Sequence, residues 1–333
     1  MPAHSNGPTL EWPPITANAE GQTRRVGLEI EFSGIDLAAA AATVQKRFGG
    51  TIQPDDAHRF VVEATSVGDF TVELDTSYAH PSERWPDDGS LTDRAEAMAR
   101  ALVGDVMETW MPREIVSPPV PIDRLPEVDS LCRDLRALGA EGTGAGWQYA
   151  FSLQLNPEVA SLECADVLAV FRAFLLASDW LRAACAKDAL RQQLPFAQPF
   201  ERGYAAAVLA PEYRPDWTRF ITDYLNANKT RNRELDMCPL FAHVDQALVQ
   251  TLLPDPRIKA RPTYHYRLPD CRIDDPEWSI IAEWNRWVLV ERLAADKAAL
   301  AERSAMFLAS FADSPPEEWI ADTDRWLTGN AHG

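Results

Sequence analysis

The sequence predicts an α+β fold in which one β-sheet packs its apolar face against helices. Five segments alternate apolar and polar residues with the period of two that half-buried strands show. Helical stretches lie between these segments, so the apolar side of the sheet has elements that can cover it. The 333 residues are 46% hydrophobic and 25% charged, which is enough apolar material for a sizeable core.

The first predicted strand, Arg25–Phe32, is the strongest of these signals. Every second residue from Val26 onwards is apolar, and Glu29 and Glu31 lie together on the opposite face. Side chains two residues apart on a strand are separated by about 6.5 Å, so the two carboxylates are close neighbours. A single Glu-x-Glu is also typical of an ordinary half-solvated strand. A functional surface is favoured because four later segments repeat the pattern.

The later elements follow from turn, capping and alternation signals along the chain. Asp36 is an N-cap candidate for a helix over residues 37–48, which Gly49 and Gly50 would end. Alternation predicts further strands over residues 60–64, 70–75, 112–119, 149–156 and 263–268. Helical spacing predicts further helices over residues 91–110, 122–138, 161–193, 217–226, 241–253, 276–311 with one break, and 316–327. Asp275 is the expected N-cap of the helix that begins at Pro276.

Five of the six predicted strands, all except the one over residues 60–64, carry the polar residues of interest on one face. These residues are Glu29 and Glu31, Glu73 and Asp75, Glu114, Ser152, Gln154 and Asn156, and His265 and Arg267. Carboxylates at cross-strand distance repel and raise one another's pKa, a cost that a divalent cation removes. Oxygen ligands suit Mg²⁺ or Mn²⁺, whereas zinc prefers His and Cys. Two alternatives to metal ligation stay open: an ion pair with an arginine for Glu73, and a structural role for His265.

A basic cluster stands out in this acidic chain. Residues 228–233 contain Lys229, Arg231 and Arg233, which would suit the phosphates of ATP; a solvated loop is the alternative interpretation. The chain has no Gly-x-Ser-x-Gly motif, and its six histidines show no paired spacing. A serine nucleophile and a zinc hydrolase are therefore disfavoured.

Charge and composition argue against several partners and locations. A net charge of -18 and a pI near 4.7 disfavour nucleic acid and anionic membrane surfaces. Five scattered cysteines without a Cys-x-x-Cys pair are typical of reduced thiols in a cytosol. Residues 1–22 lack a signal-peptide pattern and are expected to form a flexible polar tail. The sequence predicts a soluble, cytoplasmic protein with no membrane span, and it leaves oligomerisation open.

Three motifs follow one another along the chain. They are Val26-Gly27-Leu28-Glu29-Ile30-Glu31-Phe32, Asp75-Thr76-Ser77, and Arg113-Glu114-Ile115-Val116-Ser117-Pro118-Pro119. In this order they resemble the amidoligase family of carboxylate–amine ligases, which is grouped with glutamine synthetase and glutamate–cysteine ligase. The resemblance extends to about residue 290, through Asn232, Pro239-Leu240 and Tyr266-Arg267-Leu268-Pro269.

The resemblance implies a glutamine synthetase-like catalytic fold, in a single catalytic domain over residues 23–330. Such a fold has a curved, mainly antiparallel sheet with helices on its convex face, and its concave face would hold ATP and two or more Mg²⁺ ions. By match to the motifs, Glu29, Glu31 and Glu114 are expected metal ligands. Asp75 is expected to be a catalytic carboxylate that binds metal or nucleotide, and Arg267 the arginine that binds phosphate.

The chain departs from the family pattern in two strands. The family has histidines where this chain has Ser152, Gln154 and Asn156, and a glutamate where it has His265. His265 is expected to replace that glutamate as a metal ligand.

The function that the resemblance implies is ATP- and Mg²⁺-dependent formation of an amide bond through an acyl phosphate. The substrates would be a small-molecule or peptide carboxylate and an amine. One alternative is a guanidino-kinase-like phosphotransferase. The other is a protein that binds nucleotide and metal without turnover, which the two departures would allow.

Overall fold

The computed structural model of the chain describes residues 7–56, 58–74, 112–143, 151–185, 197–310 and 316–330. These residues form a mixed α/β structure with nine α-helices and an open, antiparallel sheet of nine strands. The prediction that helices and one antiparallel sheet share the chain is confirmed at this level. The predicted helix over residues 91–110 lies outside the described residues.

The strands pair in the order β2-β3-β4-β5-β1-β7-β9-β8, with β6 beside β1. Their bounds are β1 Arg25–Phe32, β2 Thr51–Asp56, β3 Arg59–Thr65, β4 Gly68–Leu74, β5 Arg113–Val116, β6 Val120–Pro121, β7 Leu153–Pro157, β8 Leu235–Asp236 and β9 His265–Tyr266. The sequence analysis missed β2 because Pro54 interrupts its pattern. Proline is tolerated on an edge strand, and β2 is at one edge of the sheet.

Most helix predictions are confirmed to within a few residues. The bounds are α1 Leu37–Phe48, α2 Leu125–Ala137, α3 Cys164–Cys185, α4 Arg202–Leu209, α5 Trp217–Ala227, α6 Cys238–Leu252, α7 Ile280–Ala295, α8 Lys297–Ser310 and α9 Pro316–Asn330. The Asp36 carboxylate accepts a hydrogen bond from Ala39 N at 2.7 Å, as a helix cap does. The helix start at Pro276 was wrong, because Ser279 caps α7 through the amides of Ile281 and Ala282. No helix in the described ranges has the length and apolar character needed to cross a membrane.

The two faces of the sheet differ as the alternation predicts. Val26, Leu28, Ile30 and Phe32 of β1 are fully buried. Aromatic contacts join this apolar face to helices from three parts of the chain. These contacts are Phe48–Phe70 at 5.0 Å, Phe174–Tyr266 at 6.0 Å and Trp287–Tyr266 at 5.5 Å between ring centroids. The polar side chains of the strands therefore lie on the face opposite to α1, α3 and α7.

Residues 7–22, part of the expected flexible tail, contact helix α7. Glu11 N donates to Asn285 Oδ1 at 3.0 Å, and Trp284 Nε1 donates to Glu11 O at 2.9 Å. The Arg24 guanidinium donates to Ile15 O at 2.8 Å. These bonds hold the described part of the segment against the body of the protein.

The proline-rich stretch over residues 197–217 contains α4. Phe200 and Tyr204 pack with Phe171 in an aromatic cluster, with ring centroids 5.3 and 6.3 Å apart. The Arg233 guanidinium lies 5.7 Å from the centre of the Phe200 ring and donates to Pro199 O. Arg233 therefore anchors this segment, which explains one cation of the basic cluster without a ligand.

A buried acid, Glu234, makes the fold sensitive to pH. Its side chain is fully buried, and burial raises its pKa to about 7 although Arg182 lies 2.5 Å away. Between about pH 4.5 and pH 7 the unfolded chain releases this proton while the folded protein keeps it, so stability falls as pH rises. We expect Glu234→Gln to gain stability relative to the wild type across this window, by about 1.4 kcal/mol per pH unit at most.

Urea unfolding at pH 5, 6 and 7.5 measures this difference. The exposed Glu163, changed to Gln, is the matched control and should keep a constant difference from the wild type. Parallel stability curves for Glu234→Gln and the wild type would show that Glu234 is ionised in the folded protein throughout.

Candidate functional site

Three glutamates lie side by side across adjacent strands on the polar face. Glu73 of β4 is the register partner of Glu114 in β5, and Glu114 is the partner of Glu31 in β1. We call these three residues the acidic row. Opposite side chains on antiparallel strands have Cβ atoms about 4.5–5.5 Å apart, and like charges there are destabilising. The row therefore has the arrangement in which a bound cation would be stabilising.

The two ends of the acidic row have different partners. Glu73 forms an ion pair with Arg59, whose Nε lies 2.6 Å from Glu73 Oε2. Glu31 is 6% exposed, and its Oε2 accepts a hydrogen bond from Ser152 N at 2.8 Å. The alternative that Glu73 pairs with an arginine is thus observed. Glu31 and Glu114, both expected metal ligands, lie directly opposite one another on β1 and β5.

A cavity of about 400 Å³ borders the same face, beside β1, β7, β8 and β9. We call it the central cavity. Its charged and polar residues are Glu29, Gln154, Asp236 and His265 on the strands and Arg231, Arg257, Lys259 and Arg261 on the loops. Four cations thus face two carboxylates in a chain whose net charge is -18. This local excess of positive charge favours an anionic ligand.

Amide side chains connect Glu29 to the wall of the cavity. Gln154 Nε2 and Asn156 Nδ2 donate to Glu29 Oε1 at 2.8 and 2.9 Å. Gln154 Nε2 also lies 3.1 Å from Nδ1 of His265, and Arg267 Nη1 donates to Gln154 Oε1 at 2.5 Å. Gln154 thus contacts three of the expected site residues, Glu29, His265 and Arg267.

A buried ion pair fixes Arg267 behind the cavity wall. Its Nη2 donates to Asp236 Oδ2 at 2.9 Å, and Asp236 Oδ1 accepts from Cys238 N at 2.9 Å. Burial alone would raise the pKa of Asp236, but the opposing effect of Arg267, with His265 and Arg231, holds that pKa below its ordinary value. Asp236 is therefore a carboxylate that orients the guanidinium fork.

Two groups on the cavity wall, the buried His265 and the half-buried Arg231, have donors without a hydrogen-bond partner in the described part of the chain. His265 is 6% exposed, and its Nε2 has no hydrogen-bond partner among the described residues. Burial, together with the charges of Arg267, Arg261 and Arg231, lowers the pKa of His265 to about 3 against the opposing effect of Asp236. Burial and Arg267 likewise lower the pKa of Arg231. The histidine is neutral, and both groups bear a desolvation cost that a ligand could offset.

The structure brings together most of the residues that the sequence singled out. Glu29, Arg231 and His265 line the central cavity, with Arg267 behind them, and Glu31 and Glu114 lie in the acidic row. Lys229 is exposed and is not part of the cavity lining. Asp75 lies outside the described residues.

The expected metal ligands fall into two groups. Glu31 and Glu114 are opposite one another, whereas Glu29 and His265 are joined through Gln154. Within the ranges that the structure describes, no three His, Cys, Asp or Glu side chains are arranged to hold a metal ion. Mg²⁺ commonly takes one or two carboxylates and completes its shell with phosphate oxygens and water. Glu31 and Glu114 therefore fit an ion that is shared with a phosphate ligand, rather than a site built from protein alone.

Sequence reasoning missed four charged residues of the cavity: Asp236, Arg257, Lys259 and Arg261. The last three form an alternating basic run within Arg257-Ile258-Lys259-Ala260-Arg261. That run, directly before the last strand, was a usable signal. Asp236 had none, because a two-residue strand leaves no alternation to detect.

A second cavity of about 390 Å³ adjoins the first on the same face. Arg261 lines both cavities, and Gly27 and Asn156 form the floor of the second at β1 and β7. Two neighbouring compartments with one shared cation suit a reaction between two ligands.

Comparison with protein families gives a match that spans both features. A family model described as "Putative amidoligase enzyme" matches residues 22–289, which include the acidic row and the central cavity. The chain belongs to the amidoligase family. This match confirms the resemblance seen in the three sequence motifs, and it supports a ligase-type enzyme at the level of the family. No curated protein and no solved structure matches the chain.

Proposed function

We propose that this amidoligase is an ATP- and Mg²⁺-dependent carboxylate–amine ligase. The observation that carries the proposal is the acidic row beside a cation-rich cavity on one face of the sheet. A nucleotide with its Mg²⁺ needs both surfaces, because carboxylates hold the ion and guanidinium groups meet the phosphate oxygens.

The charged residues divide between these two tasks. Glu31 and Glu114 would hold Mg²⁺ against the phosphate groups. Asp75, which the family motif implies to be a catalytic carboxylate that binds metal or nucleotide, is proposed to keep that role. Arg231 and Arg261 would contact phosphate oxygens in the central cavity, with Arg267 as the fixed charge behind them. Lys229 contributes at most from outside the cavity, since it does not line it.

ATP, when bound, supplies the activation of the substrate carboxylate as an acyl phosphate. The amine nitrogen then attacks the acyl carbon, phosphate leaves, and the nitrogen gives up a proton. The protein's part is to position the groups and to stabilise charge, so no side-chain nucleophile is required. The second cavity, which shares Arg261 with the first, would hold the carboxylate and amine substrates.

We infer that the sheet is curved as in the glutamine synthetase-like catalytic fold, with helices on its convex side. The segregation of α1, α3 and α7 to the apolar face supports this, because both cavities are left on the polar face. A concave polar face would enclose the reacting groups from several strands.

A second candidate is a protein that binds nucleotide without turnover. One observation favours it: Oε1 of Glu29, an expected metal ligand, already accepts hydrogen bonds from Gln154 and Asn156. An ion at Glu29 would have to compete with these two amides.

Product analysis separates the candidates. The protein is incubated with ATP and Mg²⁺ and with a panel of amino acids, short peptides and polyamines. We expect ADP and free phosphate in equal amounts only when a carboxylate and an amine are both present. ADP with a phosphorylated acceptor and no free phosphate would indicate the guanidino-kinase-like alternative. Nucleotide binding with no ADP under any combination would indicate the binding protein.

A further inference from the structure

The orientation of the Gln154 side-chain amide is fixed by its neighbour Arg267. A guanidinium can only donate hydrogen bonds, and Arg267 Nη1 lies 2.5 Å from Gln154 Oε1. The amide oxygen therefore faces Arg267. The amide NH₂ group points the other way, toward Glu29, Asn156 and His265.

This orientation fixes the tautomer of His265. Gln154 Nε2 lies 3.1 Å from His265 Nδ1, and an amide NH₂ group donates but does not accept. Glu29 Oε1 and Asn156 Oδ1 also accept from this NH₂ group, which has only two hydrogens. Whether or not one of them reaches Nδ1, a proton on Nδ1 would face a donor and find no acceptor there, so Nδ1 is the unprotonated nitrogen. In a neutral imidazole the proton is then on Nε2. The neutral state follows from the same contact, because an imidazolium would also carry a proton on Nδ1, facing the Gln154 donor.

The Nε2–H group is consequently a buried donor with no acceptor. Nε2 has no partner within the described part of the chain, and the His265 ring lines the central cavity. A buried donor without an acceptor costs free energy, and a ligand that accepts its hydrogen bond would remove this cost.

Arg231 gives a second, independent indication at the same cavity. Its guanidinium makes no hydrogen bond or ion pair with another described residue, and burial with the nearby Arg267 lowers its pKa. Asp236 and Asp255 act on Arg231 only through space, without a hydrogen bond or close ion pair. A half-buried cation of this kind and a buried N–H donor on one cavity wall call for the same kind of ligand. That ligand is an acceptor with negative charge.

We propose that the central cavity contains an oxyanion subsite, in which His265 Nε2–H and the Arg231 guanidinium bind one anionic group. His265 then acts as a hydrogen-bond donor and not as the metal ligand that its position in the family motif implies. The anion is a phosphate group of the nucleotide or the carboxylate of the substrate, so its identity, though not the subsite, rests on the proposed function.

Metal ligation by His265 would conflict with its surroundings. An ion bound at Nε2 would need the lone pair there, and the proton would move to Nδ1. That proton would point at the NH₂ group of Gln154, two donors facing each other. Relief would require Gln154 to turn, which would place its NH₂ group against Arg267.

The tautomer can be measured on the unmodified protein. Long-range ¹H–¹⁵N correlation spectra of ¹⁵N-histidine-labelled protein should show His265 as the Nε2–H form without ligand. Adding inorganic phosphate or ADP, with EDTA present, should shift the Nε2 signals and leave the tautomer unchanged. Adding Mg²⁺ alone should change neither. An Nδ1–H form, or a change of tautomer with Mg²⁺ alone, would overturn the proposal.

Two isosteric variants test the donor directly. In His265→Gln the amide can accept from Gln154 and still donate into the cavity, whereas His265→Glu offers only acceptors. We expect His265→Gln to bind phosphate or ADP within a few-fold of the wild type, and His265→Glu to bind about tenfold or more weakly. Arg231→Gln should also weaken binding about tenfold. Arg214→Gln, on an exposed loop residue, is the matched control and should change nothing.

The probes identify which anion occupies the subsite. Calorimetric titrations with phosphate, ADP, succinate and glutamate are compared between the two His265 variants. If His265→Glu binds phosphate and ADP more weakly than His265→Gln does, the subsite holds a phosphate group of the nucleotide. If the affinities for succinate and glutamate differ in this way, the subsite holds the substrate carboxylate. Equal affinities of both variants for all four probes would overturn the subsite.

These outcomes are distinct from those of the ligase assay. Anion binding that depends on His265, in a protein that never releases ADP, would keep the subsite and end the ligase proposal. Full ligase turnover in His265→Glu with unchanged anion affinity would keep the ligase proposal and overturn the subsite.

Discussion

Glu31→Gln is expected to abolish the Mg²⁺-dependent stabilisation of the protein by ADP and to lower ligase turnover by at least about a hundredfold. Glu31 is directly opposite Glu114, and these two carboxylates are the proposed ligands of the ion, whereas Glu73 pairs with Arg59. Glutamine has almost the same shape, but it removes the negative charge that Mg²⁺ requires.

The fold should tolerate this change. Glu31 Oε2 accepts a hydrogen bond from Ser152 N, and the amide oxygen of glutamine can accept the same bond. Loss of one charge also relieves repulsion with Glu114 across the strands. The apo variant should therefore melt at or slightly above the wild-type temperature.

Thermal unfolding with and without Mg²⁺ and ADP provides the measurement. Glu73→Gln is the matched control, since it removes one charge from the same row at the end where Arg59 pairs with it. We expect Glu73→Gln to retain most of the Mg²⁺-dependent stabilisation. A wild-type shift in Glu31→Gln would rule out the ion at Glu31 and Glu114.

Alternation within single strands was the part of the fold that the sequence predicted well. The apolar residues of β1 are buried and its glutamates lie on the other face, because period-two patterning depends on the strand alone. The break in the long C-terminal helical region was also predicted, and it falls at Asp296 between α7 and α8.

Register between distant strands was beyond the sequence. The acidic row exists because Glu31, Glu73 and Glu114 align across β1, β4 and β5. This register is set by the pairing of strands that are distant in the chain, and the pattern within a single strand does not reveal it. The sequence named all three residues but could not place Glu73 beside Arg59. It also grouped Glu29 with Glu31, whereas hydrogen bonds from two amides engage Glu29 at the central cavity.

Loop residues were the other gap. Arg257, Lys259 and Arg261 come from a segment without regular structure, whose path no periodicity constrains. The protonation of His265 is a third example, since it depends on which way Gln154 points, and Arg267 decides that through space.

Arg267→Lys is expected to lower ligase turnover by about a hundredfold and also to destabilise the fold by about 1–3 kcal/mol. The loss of stability is expected because one guanidinium donates to both Gln154 Oε1 and Asp236 Oδ2 at the cavity wall. An ammonium group is a point charge that lacks this fork.

The lysine ammonium should pair with the buried Asp236 rather than with Gln154. An unpaired buried carboxylate costs more free energy than an unpaired amide oxygen. Gln154 would then lose the donor on its oxygen and be held only by Glu29 and Asn156, which accept from its NH₂ group. Rotation of the amide, which turns its oxygen toward His265, would then have to break only those two bonds. In that case Nδ1 of His265 takes the proton and the Nε2–H donor disappears from the cavity. Arg267→Lys should thus share the weakened anion binding of His265→Glu, although position 265 is unchanged.

Three measurements on Arg267→Lys test this chain of contacts: urea unfolding, phosphate affinity, and the His265 tautomer by ¹⁵N correlation. We expect all three to change together. Asp236→Asn is the matched control, because it weakens the ion pair but leaves Arg267 able to donate to Gln154 and so should keep the Nε2–H tautomer. If Arg267→Lys lost turnover while the tautomer and phosphate affinity stayed as in the wild type, Arg267 would act on the reacting phosphate directly and not through Gln154.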